Sequence, residues 1–150
     1  MLYISNSVIN RINQECKNMH VEQGWLIGCK MDFEYLDSCY SLVASYADAN
    51  CYIVDSKITT EAIRRWAENG VCNIGFIHSH LVDKEDFSLA DRESANSLLK
   101  SLNMPFLYFG IVVITPDVKT ETENSLFMYL AKDAGERGCI IEQIPYVVID

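Results

Sequence analysis

Positive charge is in short supply in this chain. Its 12 Lys and Arg stand against 21 Asp and Glu, a formal net charge of −9, so most of the surface repels a phosphate backbone and no nucleic-acid partner is expected. Proline and glycine are also few, 3 and 7 residues, and no stretch is rich in Pro, Gly or Ser, which argues against a flexible linker or a low-complexity segment. No run approaches the roughly eighteen apolar residues that a membrane span needs, and Met1 to Ser7 lacks the basic and apolar regions of a signal peptide. No membrane partner and a cytoplasmic location are therefore expected. What is present is a composition 49% hydrophobic and 22% charged, that of an ordered globular protein. The 150 residues suffice for one core of ordinary size but not two, so 1–150 is read as a single domain.

The 6 cysteines, Cys16, Cys29, Cys39, Cys51, Cys72 and Cys139, include no C-x-x-C pair, which removes the usual signature of a zinc ribbon or a thioredoxin-like site. Without a secretion signal the thiols are expected to stay reduced, and most sit beside apolar neighbours as small hydrophobes.

Periodicity gives a mixed order of elements. Val8, Ile9, Ile12 and Cys16 recur at helical spacing behind Ser5 or Asn6 as N-cap, predicting a first helix from about Asn6 to Asn18. Val21 to Met31 reads as a buried strand, with Ser41 to Tyr46 and Cys51 to Val54 as shorter strands of an early antiparallel sheet. A second helix opens at Thr59-Thr60-Glu61, turns Ala62, Ile63 and Trp66 inward, and ends at Asn69-Gly70, a pair suited to a left-handed cap. Val71 to Ile77 follows as a central strand, then a polar loop from Leu81 to Phe87. A third helix runs from Ser88 to about Leu102, burying Ala95, Leu98, Leu99 and Leu102. Leu107 to Ile114 is a second central strand, Ser125 to Ala131 another, and Ile140 to Ile149 a last one interrupted by Pro145. The class is α/β: a mixed β-sheet flanked by helices.

The chemistry is concentrated in Gly75-Phe-Ile-His78-Ser-His80, with Ser88 and Asp91 just beyond. Side chains at i and i+2 of a strand share a face, so both imidazoles can grip one metal ion. Asp91 offers a third ligand, and two imidazoles with one carboxylate leave a position of a tetrahedral zinc open, the arrangement of a hydrolytic site. The same donors also suit Fe(II) as a facial triad. Plainer explanations exist. Ser88-x-x-Asp91 at a helix start is also a capping box, and a lone strand histidine is more often a hydrogen-bonded core residue. Two histidines at i and i+2 are harder to explain without a shared partner, because desolvating both is costly.

The spacing His78-x-His80, seven residues, Ser88, two residues, Asp91 resembles the signature of the JAMM (MPN-plus) metalloprotease family. Val21-Glu22-Gln23-Gly24-Trp25-Leu26-Ile27-Gly28 is similar to that family's upstream glutamate segment. The resemblance runs from the first helix to the strand after Leu107 and implies an MPN/JAB, cytidine deaminase-like fold. It further implies one Zn²⁺ per chain held by His78, His80 and Asp91, with Glu22 as catalytic base and Ser88 as oxyanion donor. A zinc there lowers the pKa of its water from about 15.7 to about 7. Two positions depart from the family pattern, Leu81 where Pro is common and Trp25 where a second Gly is common; they put in doubt the shape of the loop over the cleft and of the groove beside Glu22.

The substrate that the resemblance implies is a ubiquitin-like or sulfur-carrier protein, cut after its C-terminal Gly-Gly-like tail at an isopeptide or linear peptide bond, in precursor processing or in deconjugation within phage defence. A chain of this size has little room for long recognition insertions, so recognition falls to an activating partner protein or to the tail alone, which stay open, and a homodimer stays open as a further assembly. A catalytically silent scaffold of the same fold and a non-haem iron enzyme are the competing readings. His20 as a fourth ligand, an acidic lure formed by Asp83, Glu85 and Asp86, and a cleft wall of Tyr35, Tyr40, Tyr46 and Tyr52 are weaker suggestions with ordinary structural explanations.

Overall fold

In the computed structural model, residues 1–16, 23–42, 44–47, 52–54, 56–81, 87–114 and 125–150 are described, with 44–47, 52–54, 56 and 81 by backbone alone. Two strands lie side by side at the centre of the main sheet. They are β7 (Cys72–Leu81) and β8 (Phe106–Ile114), paired in parallel from Gly75 opposite Tyr108 to Leu81 opposite Ile114. A parallel pair needs a crossover, and α3 (Leu89–Ser101) supplies it. Around this pair the sheet grows by antiparallel neighbours: β2 (Gly24–Cys29) and β4 (Ser38–Leu42) on one side, β9 (Ser125–Asp133) and β10 (Cys139–Ile144) on the other, in the order β10-β9-β8-β7-β2-β4.

Strand alternation gives this mixed sheet two buried faces. One carries Trp25, Ile27, Ile74, Ile77, Val112 and Met128 against Val8, Ile12 and Cys16 at α1 (Asn6–Glu15). The other carries Leu26, Phe76, Phe109, Ile111 and Tyr129 against Ala62 of α2 (Ser56–Glu68) and Ala95 and Leu99 of α3. The helices form where the periodicity puts them. Ser5 caps α1, its Oγ accepting from the Ser7 N–H at 3.1 Å, and Gly70 closes α2 at φ +74°, where a Cβ is unfavourable. α2 begins three residues ahead of the expected Thr59, which is itself buried.

Three expectations about strands need correction. The early strands do pair antiparallel, but not as one sheet: the expected Ser41–Tyr46 strand is split, β4 pairing with β2, while β5 (Ala44–Ala47) and β6 (Tyr52–Val54) pair only with each other among the described residues. The cause is β2, buried at every residue, which takes partners on both edges and so enters the main sheet. Leu81 lies in β7 opposite Ile114, and not in the following loop. The last strand is two strands in different sheets. Pro145 has no N–H to continue the ladder. β10 therefore ends before it, and β11 (Tyr146–Ile149) pairs in parallel with β1 (Leu2–Ser5), which also pairs with β3 (Tyr35–Leu36). β1 and β3 are too short to show a period and were not expected.

β7 and β8 leave no room for a side chain at Gly75, opposite Tyr108. A Cβ on Gly75 would stand 1.9 Å from the Tyr108 carbonyl oxygen, and backbone on both sides cannot yield. Gly75→Ala is therefore expected to cost about 3 kcal/mol or more, read as a lower urea midpoint.

α1 is tied to the sheet by a polar knot. The Glu15 carboxylate accepts from Trp25 Nε1 at 2.5 Å and Ser41 Oγ at 2.6 Å through one oxygen, and from Arg11 Nε at 3.2 Å through the other. Burial pushes its pKa up, but the bonds from Ser41, Trp25 and Arg11 outweigh burial and hold it below the usual 4.5. The knot is thus fully effective above about pH 4.5 and is lost as pH falls through the lower folded value. Glu15→Ala leaves the fully buried Trp25 with an unpaired N–H and is expected to cost about 1–3 kcal/mol at pH 7. The difference from the parent shrinks in acid denaturation titrations carried below that range.

Candidate metal centre

His78 and His80 extend from β7 on the face that carries Phe76, toward α3, as their spacing of two requires. Gly24 stands directly opposite His78 on β2 and adds no side chain to crowd it. β7 is paired on both edges at this level, so the two rings rise from rigid backbone. Ser79, between them, points to the other face and is fully buried. Its Oγ accepts from the Gln23 N–H at 2.7 Å, while its own N–H donates to the Gln23 carbonyl at 2.8 Å. Gln23 is the residue after Glu22, so Ser79 fixes the chain immediately downstream of the candidate base. This role went unnoticed in the sequence, although alternation alone turns Ser79 away from the histidines.

Asp91 arrives from α3. Ser88 is the N-cap: its Oγ accepts from the Asp91 N–H at 3.1 Å and its own N–H donates to Asp91 Oδ2 at 2.8 Å, a complete capping box. Phe87, which packs edge-on to Phe109 with ring centroids 5.9 Å apart and against Tyr129 at 4.9 Å, anchors the entry to the helix. It too went unnoticed, since one aromatic beside a loop carries no pattern.

The capping box aims the Asp91 carboxylate at the histidines. His78 Nε2 lies 2.8 Å from His80 Nε2 and 3.0 Å from Asp91 Oδ1, and His80 Nε2 lies 3.7 Å from Asp91 Oδ2. The ligand-type atoms of the three residues all fall within 4.8 Å of one another. Their side chains are 19, 8 and 15% exposed for His78, His80 and Asp91, buried enough to strengthen charge interactions yet open on one side. Burial works to raise the Asp91 pKa, but the hydrogen bond and charge of His78 and the two bonds from Ser88 outweigh burial and lower it to about 2. Asp91 is a carboxylate at any physiological pH.

The donor set fits a divalent cation. Zinc with arms of about 2.0–2.1 Å in a tetrahedron needs ligand atoms about 3.3 Å apart, and the observed separations lie on either side of that value. A cation at the centre satisfies two ring nitrogens and a carboxylate oxygen together, which a single shared proton cannot. The capping box accounts for Ser88 and Asp91 at a helix start, but it does not account for two adjacent imidazoles turned toward them.

Glu22, His20 and the acidic residues Asp83, Glu85 and Asp86 lie outside the described residues. Trp25 does not border the histidine face: it is packed on the α1 side of the sheet, so its departure from the usual glycine does not bear on the side of β2 that faces His78. Of the four tyrosines, Tyr35 sits in β3 opposite Tyr3 and Tyr40 packs edge-on to Trp66, which gives both ordinary packing roles. The side chains of Tyr46 and Tyr52 lie outside the described residues.

No family model matches the sequence, and no curated protein matches it. Solved structures do. Protein DSY2949 from Desulfitobacterium hafniense superposes with a TM-score of 0.74 at 16% identity, over 100% of this chain and 94% of its own. A protein from Salinibacter ruber gives 0.61 at 16% identity, over 99% and 92%. AF2198, a JAB1/MPN domain protein from Archaeoglobus fulgidus, gives 0.57 at 20% identity, over 99% and 100%. The chain has a JAB1/MPN-like fold, and no helix among the described residues is long and apolar enough to cross a membrane.

Proposed function

We propose that this chain is a zinc-dependent isopeptidase or peptidase of JAMM type that hydrolyses the amide bond following the C-terminal tail of a ubiquitin-like or sulfur-carrier protein. The observation that carries the reading is the convergence of His78, His80 and Asp91, from two different elements of a JAB1/MPN-like fold, on one cation-sized space. His78 and His80 would hold the metal through Nε2 and Asp91 through a carboxylate oxygen. A zinc bound there supplies Lewis acidity, making water a better acid and the substrate carbonyl a better electrophile. The remaining work falls to the chain's own groups. Glu22, two residues before the glycine that faces His78, is placed by sequence to take a proton from water and return it to the leaving amine. Ser88 Oγ accepts from the Asp91 N–H, which leaves its hydroxyl proton available to steady negative charge developing on the carbonyl oxygen.

An extended Gly-Gly tail suits this chemistry because glycine lets backbone pass close to a metal held by crowded side chains. A β-grasp protein fused through its own tail to a reporter is expected to be cut after the last glycine. Replacing the terminal glycines by bulky residues should slow cleavage at least tenfold. Equal rates on both fusions, or equal cleavage of unstructured casein, would replace tail-specific processing with general peptidase activity. A fusion left intact by zinc-loaded protein would favour a non-catalytic MPN-type scaffold, and an iron stoichiometry near one would favour a non-haem iron enzyme.

A further inference from the structure

At the end of β2 and β7 remote from the histidines, Cys29 and Cys72 are directly opposite one another across the antiparallel pair. A β-bulge puts them there. Ile27 faces Gly75 but Gly28 faces Asn73, so Ile74 is an extra, unpaired residue on β7; in a regular ladder Ile74 would pair with Gly28 and Asn73 would stand against Cys29. Asn73 secures the bulge, its Nδ2 donating to the carbonyls of Ile27 at 3.2 Å and Gly75 at 3.0 Å. Opposed residues share a face, with Cα atoms about 4.5 or 5.5 Å apart according to the ladder position, and both values fall within the usual span of a disulfide, about 4.4–6.8 Å. Both thiols are free. Their exposures differ: Cys29 is 2% exposed, whereas Cys72 is open to solvent.

We propose that Cys29 and Cys72 form a dithiol site that is converted by low-molecular-weight disulfides into a reversible cross-strand disulfide. The chemistry balances through thiol–disulfide exchange. The Cys72 thiolate attacks one sulfur of the small disulfide, whose S–S bond breaks and releases one thiolate. Cys29 then gives its proton to that thiolate and attacks the Cys72 sulfur, forming the Cys29–Cys72 bond and expelling the second small thiolate, which takes up the proton that Cys72 had released to solvent. The protein dithiol is oxidised by two electrons and the small disulfide is reduced to two thiols. Exposure makes Cys72 the entry point and burial makes Cys29 the resolving thiol. Burial, then the nearby Cys72, Asp37 and Asp32, push the Cys29 pKa up to about 11, which keeps Cys29 from reacting first. Burial likewise raises Cys16 and Cys39 to about 12, which disfavours their thiolates.

The test uses the full chain with oxidised glutathione as the probe, followed by alkylation of remaining thiols under denaturing conditions and peptide mass mapping. The expected result is a Cys29–Cys72 peptide, the loss of two alkylatable thiols, and full reversal by dithiothreitol. Cys29→Ser is expected to stop at a glutathione adduct on Cys72, and Cys72→Ser to leave Cys29 free. A parent protein that accumulates the Cys72 adduct without the cross-link, or that oxidises at other cysteine pairs to the same extent, overturns the proposal. Because Cys29→Ser sits in a packed core, circular dichroism of the variant and the Cys72→Ser arm guard against a folding artefact. The result does not depend on the zinc reading.

Discussion

Replacing His78 and His80 together by alanine is expected to take zinc from about one per chain to background. Two of the three ligand atoms vanish, and Asp91 alone, anchored in its capping box, retains only the weak affinity of a single carboxylate. The fold should survive, since the rings lie at the edge of the core and their strand is held by β2 and β8. Zinc also provides a second reading. A ligand that binds only the folded chain adds about 2.7 kcal/mol at a hundred times its Kd, so zinc should raise the melting temperature of the parent and not of the double variant. Elemental analysis of protein prepared without chelator decides the matter. Zinc retained in full by the double variant would mean that the metal sits elsewhere.

Glu22→Ala is expected to lower turnover on the tail fusion at least about a hundredfold, the usual contribution of a general base, while zinc content and melting temperature hold. Ser88 has a structural role beside the proposed catalytic one. Ser88 caps α3, so Ser88→Ala would lose both the hydroxyl and the cap, the latter worth about 0.5–2 kcal/mol. Ser88→Gly separates the two roles, because glycine at an N-cap costs only a few tenths of a kcal/mol. If Ser88 supports the oxyanion, this variant should lose about a hundred- to a thousandfold in turnover, and Ser88→Thr should recover it. Loss of zinc in Glu22→Ala would make Glu22 a ligand and require the proton transfers to be reassigned.

Features that rest on backbone period and local capping were legible in the order of residues. His78 and His80 had to share a face because a strand repeats every two residues, Ser88 and Asp91 had to meet because a helix start brings N-cap and third residue together, and the three helices followed from their apolar spacing. The meeting of those two local features was suggested by donor chemistry and by the resemblance but by no local pattern, since no period relates β7 to α3. Tertiary structure decided the choice of partners. It placed β2 inside the sheet with β4 and β7 on its edges, sent the two halves of Ile140 to Ile149 to different sheets at Pro145, turned Trp25 onto Glu15 away from the histidines, and spent one residue of β7 on a bulge that brings Cys72 opposite Cys29. Pairing and register are settled by which faces can be buried together, a competition among segments far apart in the chain, and that competition leaves no mark on the local pattern of any one of them.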